Sequence, residues 1–224
     1  MPLEFSTPPA DAAQILQDAV GTMVSAPLFI GKLAGVGADA SQNQPDAGAP
    51  QPDAGSTQNQ YSLAHEIYFM RLDDLASGAG LDKAQLKGWR YLKTDAPDSK
   101  TSVEVYTQRT GEQEKGFAQI TSGPYCQSTL RAIKAASQNS DVQNGSYEPR
   151  LLHVPALALM ALWSHKKKTP SFKNDIFFPL APIPSFLVAD KVYSAAELLE
   201  KLHEVAPSRM PKTTGKPSPA PQER

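Results

Sequence analysis

Residues 89–133 read WRYLKTDAPDSKTSVEVYTQRTGEQEKGFAQITSGPYCQSTLRAI, and their pattern predicts three strands followed by a helix. Polar and apolar residues alternate over residues 102–106, which is typical of a strand with one buried face, so we expect Val103 and Val105 to point inward. An apolar run at residues 89–92 precedes this strand. Residues 117–120 follow it after a polar turn, as the second arm of a hairpin.

A helix is predicted directly after this hairpin. Ser122 is its candidate N-cap, and Pro124 suits the first helical turn, where a missing N–H needs no partner. Cys126, Leu130 and Ile133 follow at i, i+4 and i+7, so we expect these three side chains to share one buried face.

The last third of the chain predicts further strands and a second main helix. Residues 156–163 suit either a buried strand or a short buried helix, and we favour a strand because Pro155 restricts helix before it. Residues 175–180 supply an antiparallel partner after a lysine-rich turn. Ser194 and Glu197 form a capping box. The apolar face of the last helix comprises Leu198, Leu199, Leu202 and Val205.

Together these patterns predict one α+β domain over residues 61–206, a mostly antiparallel sheet packed with two main helices. Residues 37–60 contain no large apolar side chain. We expect them to be a disordered linker, because such a segment cannot offset the entropy lost on ordering. Residues 207–224 are rich in proline, lysine and serine and predict a disordered tail. Ahead of the linker, residues 1–36 form an N-terminal amphipathic arm.

This arm is the candidate interaction device. Its first apolar residues recur at helical spacing, and a second apolar cluster follows them. The residues that we assign to the interaction are Ile15, Leu16, Val20, Leu28, Phe29 and Ile30. Because a long linker separates the arm from the body, we expect it to dock on its own body, on a second copy of the chain or on another protein.

Composition excludes several classes of site. The 224 residues include one cysteine and four histidines, so an internal disulfide is impossible, and the scattered histidines lack the spacing of metal ligands. A phosphate-binding glycine loop is absent as well, and we expect no metal and no cofactor. Residues 61–206 carry a net charge of only +1, which argues against nucleic acid, whose binding depends on phosphate contacts.

The start of the chain has an acid, Glu4, where a secretory signal has basic residues, and no long apolar run follows. The longest apolar stretch, residues 151–163, is too short to cross a bilayer. We therefore expect a cytoplasmic protein that does not enter a membrane.

Cys126 is the one residue that suggests catalysis. A thiol in the first turn of a helix can act as a nucleophile, as in a cysteine-dependent hydrolase. His153 or His165 would then be the base, and Asp175 or Asn174 would orient it. However, the residues around Cys126 match no cysteine-protease signature, and its predicted apolar face suits a packing residue. The sequence therefore favours a non-enzymatic protein-binding protein, with a small hydrolase as the alternative.

Overall fold

A computed structural model describes residues 3–25, 61–93, 101–106, 117–168 and 171–211. The strands are β1 Tyr61–Phe69, β2 Gln85–Lys93, β3 Thr101–Tyr106, β4 Phe117–Ser122, β5 Tyr147–Val154, β6 Leu159–Lys166, β7 Ile176–Pro179 and β8 Tyr193–Ser194. The helices are α1 Ala10–Ser25, α2 Leu72–Ala76, α3 Pro124–Gln138, α4 Ser140–Gln143 and α5 Ala195–Arg209. The predicted linker, the predicted tail from residue 212 onward, and the apolar residues Leu28, Phe29 and Ile30 lie outside the described residues.

The eight strands form one sheet in the order β4-β3-β2-β1-β5-β6-β7-β8. Neighbouring strands are antiparallel except for β1 and β5, which are parallel. The α+β class and the mostly antiparallel sheet are thus confirmed. The chain runs through four strands to α3, and then through four more strands to α5. Helices α3 and α5, which follow the first four and the last four strands, lie on opposite faces of the sheet.

Alternation along the strands divides the core between these two faces. Leu152, Trp163 and Phe177 are buried with α5 on one face. Their chain neighbours, such as Leu151 and Leu162, are buried with α3 on the other. The second half of the sheet is therefore covered on both sides, which explains why its strands are apolar runs rather than alternating patterns.

Helix α1 covers the first half of the sheet, on the same face as α5. Leu16 and Val20 are buried against a cluster that contains Trp89 and Val103, and Ile15 packs beside them. Residues 3–6 also touch the body: Leu3 bridges to Tyr147, and Glu4 pairs with Lys167 at 2.7 Å. The described part of the arm thus docks on its own body.

Several local predictions agree with the structure. The hairpin is present as β3 and β4, and Val103 and Val105 are fully buried. The segment that contains residues 156–163 forms a short 3-10 turn at Pro155–Leu157 followed by strand β6, which pairs with β7. The capping box of Ser194 and Glu197 begins α5.

Other local predictions need correction. Ser122 belongs to β4, and the N-cap of α3 is Gly123. The buried face of α3 includes Cys126, Thr129, Ala132 and Ala136, whereas Leu130 and Ile133 are only partly buried. The prediction was wrong because it placed large apolar side chains on the buried face, whereas a helix that packs closely on a sheet requires small ones there. Helix α5 continues through Pro207 to Arg209, past the predicted start of the tail.

Candidate functional site

Cys126 lies in the first turn of α3, as predicted, but only 1% of its surface is exposed. Its Sγ lies 3.4 Å from the Ser102 hydroxyl and 3.4 Å from the Thr121 carbonyl. A guanidinium nitrogen of Arg90 approaches the sulfur at 3.8 Å. The thiol is therefore enclosed by polar groups of β2, β3 and β4, and not by the apolar surroundings that its helical spacing suggested.

Arg90 is the centre of this buried polar cluster. Its guanidinium donates to Ser102 Oγ at 3.2 Å and to Thr129 Oγ1 at 3.3 Å. Its Nε also lies 3.5 Å from Glu104 Oε1. Tyr106 donates to the other oxygen of Glu104 at 2.6 Å. The cluster joins β2 and β3 to α3. Its hydrogen bonds satisfy the charges of the buried ion pair between Arg90 and Glu104, as a buried ion pair requires.

Two histidines lie on the α3 face of the sheet. His65 is fully buried opposite Arg90, and its Nδ1 donates to the Leu63 carbonyl at 2.8 Å. Burial, with a smaller effect from the Arg90 charge, lowers the pKa of His65 to about 4. Burial also lowers the pKa of His153, whose ring packs edge-on against Phe69. Within the described residues, no hydrogen bond joins either imidazole to Cys126.

The structure does bring His165 and Asp175 together. Asp175 Oδ2 accepts from His165 Nδ1 at 2.8 Å and from Trp163 Nε1 at 2.6 Å, and its other oxygen accepts from the Lys166 backbone N–H. Asn174, the alternative orienting residue, instead accepts from Tyr147 through its carbonyl. The carboxylate of Asp175 therefore holds the start of β7 against β6 as well as orienting the imidazole.

This pair is remote from the thiol. The ring of His165 packs against Trp163, on the α5 face of the sheet, whereas Cys126 lies on the α3 face. The thiol contacts Arg90 of β2, and strands β1 and β5 lie between β2 and β6, the strand that carries His165. The arrangement of Cys126, His165 and Asp175 that the hydrolase hypothesis requires is not assembled in this conformation.

A second charged group lies beside His165 on the α5 face. The Arg150 guanidinium is placed over the rings of Tyr68 and Trp163, at 4.9 and 5.2 Å from their centroids. It forms ion pairs with Glu148 and, at 3.4 Å, with Glu66. Two carboxylates and two aromatic rings already contact this cation. The Arg150 side chain therefore packs β1, β5 and β6 together.

A groove of about 270 Å³ lies between α3 and the loop of residues 180–192, and we call it the α3 groove. Its lining includes Ser128, Arg131, Ala132 and Ala135 of α3, together with Phe178 and Val192. The loop is attached to the helix where the Ala181 N–H donates to Ser128 Oγ at 2.8 Å. Small residues on this side of α3 leave a space whose floor is apolar.

The loop that forms one wall of the α3 groove has exposed apolar residues. Val188 and Val192 are 62% and 38% exposed, and they are the large hydrophobic residues that are exposed among the described parts of the chain. Val192 lines the groove, whereas Val188 is not among the lining residues, and its N–H donates to the Tyr193 hydroxyl. The exposed side chain of Val192 is therefore a candidate point of contact at this concave surface.

The sequence patterns did not point to this groove. Val192 follows a proline-rich extended segment that we expected to lie on the body, and Ala135 is ordinary in a helix. The only local signal is the set of small residues at positions 128, 132 and 135, on the side of α3 away from its predicted apolar face. The neighbouring wall comes from a segment some fifty residues later in the chain, so no local pattern could reveal the cavity.

Comparisons of the chain with protein-family models, with curated proteins and with solved structures found no match. In the ranges that the structure describes, no set of three or more His, Cys, Asp and Glu side chains is placed to hold a metal ion. None of the helices in these ranges has the length and apolarity of a membrane span.

Proposed function

We propose that this protein acts by binding another protein, and that the α3 groove receives the partner. The observation that carries this proposal is a concave apolar floor next to the exposed side chain of Val192. Contact sites combine a few apolar anchors in a pocket with a polar rim, and this surface has both parts.

The size of the groove favours a protein partner over a small substrate. Pockets that enclose cofactors or drug-sized ligands usually measure about 300–1,000 Å³. The α3 groove, at about 270 Å³, lies below that range and is open to solvent along the loop. It suits one or two side chains of a larger molecule that continues over the surrounding surface.

The position of Cys126 supports binding over thiol chemistry. The sulfur is enclosed, and it is hydrogen-bonded to Ser102 and Thr121 instead of to an imidazole. A nucleophile in a hydrolase needs a base within hydrogen-bond reach and access to its substrate.

The arm is a weaker candidate for the contact than the α3 groove. Leu16 and Val20 are already buried against the sheet of the same chain. A role for Leu28, Phe29 and Ile30 remains a prediction, because these residues lie outside the described ranges.

Photo-crosslinking tests the proposal. With p-benzoylphenylalanine in place of Val192, an exposed residue that lines the groove, we expect one predominant adduct of the full chain in a lysate of the native cells. The substitution Ala135→Trp fills the α3 groove from an exposed helical position and should abolish that adduct. The matched control is Ala196→Trp, an exposed alanine on α5, which should leave the adduct unchanged.

Two results would contradict binding in the groove: no adduct at all, or an adduct that persists in the Ala135→Trp variant. An adduct of twice the mass of the chain would identify a second copy as the partner. The same probe in place of Glu200, on the opposite face, shows the background of non-specific capture.

A further inference from the structure

We infer that the partner segment bound in the α3 groove is an acidic peptide with one apolar anchor residue, whose carboxylates face α3. This inference rests on the proposed function and names the chemistry of the partner. It is carried by the distribution of charge around the groove, which differs between its two walls.

The wall formed by α3 is purely basic. Its sequence, PYCQSTLRAIKAASQ, contains Arg131 and Lys134 and no acidic residue. Arg131 lines the groove, and Lys134, three positions later, lies outside the lining on the neighbouring part of the helix surface. Both are exposed, and neither forms an ion pair with any residue in the described ranges. Two uncompensated cations on one helix favour a partner that brings carboxylates.

The loop wall is close to neutral. Lys191 lines the groove, but its ammonium already pairs with Glu197 at 3.3 Å. Asp190, next to it, also lines the groove and would repel an acidic segment that approached from that side. The partner's carboxylates are therefore directed toward Arg131 and away from the loop.

The floor of the α3 groove determines which side chain of the partner can be bound there. Phe178 and Ala132 are almost fully buried there, and Ala135 is small, so the space accepts an aliphatic or aromatic side chain. A charged side chain would lose its hydration on this floor without gaining a partner. The preferred segment thus has an apolar residue at its centre and acidic residues beside it.

Labelled peptides test this inference by fluorescence anisotropy with the full chain. The three probes share one central Phe as the anchor, and their flanks are Asp-Glu, Ser-Gly or Lys-Lys. We expect the acidic peptide to bind about tenfold more tightly than the neutral one, and the basic peptide to bind least. The preference should shrink as NaCl rises from about 50 to about 300 mM, because exposed charges are screened.

Three variants assign the effect to the groove. Arg131→Glu should remove the preference for acidic flanks while the neutral peptide still binds. Lys83→Glu makes the same change of charge at an exposed site on the 3-10 turn Leu81–Lys83 and should retain the preference. Ala135→Trp should weaken all three peptides.

The possible failures are distinguishable. Equal binding of acidic and neutral peptides, abolished by Ala135→Trp, would overturn the charge inference and leave the groove as a binding site. A preference that survives Arg131→Glu would place the acidic contact elsewhere. If no peptide binds while the Val192 adduct forms and is lost in Ala135→Trp, the partner is not an acidic segment. If the adduct is absent too, the proposed function fails with it.

Discussion

His65 illustrates how a single buried group makes stability depend on pH. Its imidazole is enclosed opposite Arg90 and donates to the carbonyl of Leu63, a residue with the unusual φ of 53°. Protonation would place a second cation beside the guanidinium without any new acceptor. The neutral form is therefore strongly favoured in the folded protein.

We expect this group to destabilise the protein in acid. Its folded-state pKa of about 4 lies below the ordinary value of 6.5, so the unfolded chain binds the proton more readily between those values. The stabilisation is complete above about pH 6.5 and is lost as the pH falls toward 4, by about 3 kcal/mol in total. Urea unfolding near pH 7 and near pH 5 should show about 2 kcal/mol of this loss.

The substitution His65→Asn is the matched variant, because its amide can still donate to Leu63. It should flatten the dependence on pH without removing it, since the pKa of His153 is lowered as well. If His65→Asn retains the full pH dependence of the parent, another group is responsible.

At the scale of elements, helix α1 packs against strands that lie far from it in the sequence. Its apolar positions face a sheet surface formed by Trp89, Tyr91, Val103 and Val105. Without the helix, this surface would be open to water. The helix and the strands thus complete one layer of the core, although they are far apart along the chain.

Truncation of one side chain tests the docking of α1. Leu16 is 2% exposed, so Leu16→Ala should lower the free energy of unfolding by about 2–5 kcal/mol, through lost burial and a cavity. The control is Gln14→Ala on the exposed side of the same helix, which should change it by less than about 0.5 kcal/mol. Urea denaturation followed by circular dichroism gives both values. Equal stability of the two variants would show that α1 is a free arm, as the sequence alone allowed.

At the scale of the molecule, the two halves depend on each other. Helix α3 belongs to the first half by sequence, but Ala132 and Ala136 pack in the cluster of Leu151 and Leu162 from the second. The halves also share the parallel pairing of β1 with β5. Neither half can bury its apolar surface alone, so unfolding should be a single cooperative event.

The two tryptophans report on the halves separately. Trp89 lies in β2, and Trp163 lies in β6, and both are buried. In Trp89→Phe and Trp163→Phe variants, the remaining tryptophan reports on one half. Its fluorescence transition in urea should coincide with that variant's own circular dichroism transition. Two separate midpoints in either variant would indicate that the halves unfold independently.

Local patterns predicted several of the elements, and tertiary structure decided the rest. The alternation at residues 102–106 and the capping box at Ser194 each predicted the correct element, because hydrophobic period and cap chemistry act within a few residues. The apolar run before His165 suited a strand or a helix, and Pro155 favoured the strand that is present as β6. The same patterns could not foresee that α1 docks on β2 and β3, or that Arg90 reaches Cys126 beneath α3. Those contacts join segments far apart in the chain.

For the candidate sites, too, the sequence predicted some features and the tertiary structure decided others. The sequence by itself named Cys126, His165 and Asp175 as chemically capable residues, and it showed that an internal disulfide was impossible. Only the folded sheet decided that Asp175 meets His165 while Cys126 lies on the opposite face. The α3 groove depends wholly on tertiary structure, because α3 and residues 180–192 form its walls only when strand β7 has carried the chain back beside the helix. A cavity is a property of surfaces brought together in space, and no single segment contains it.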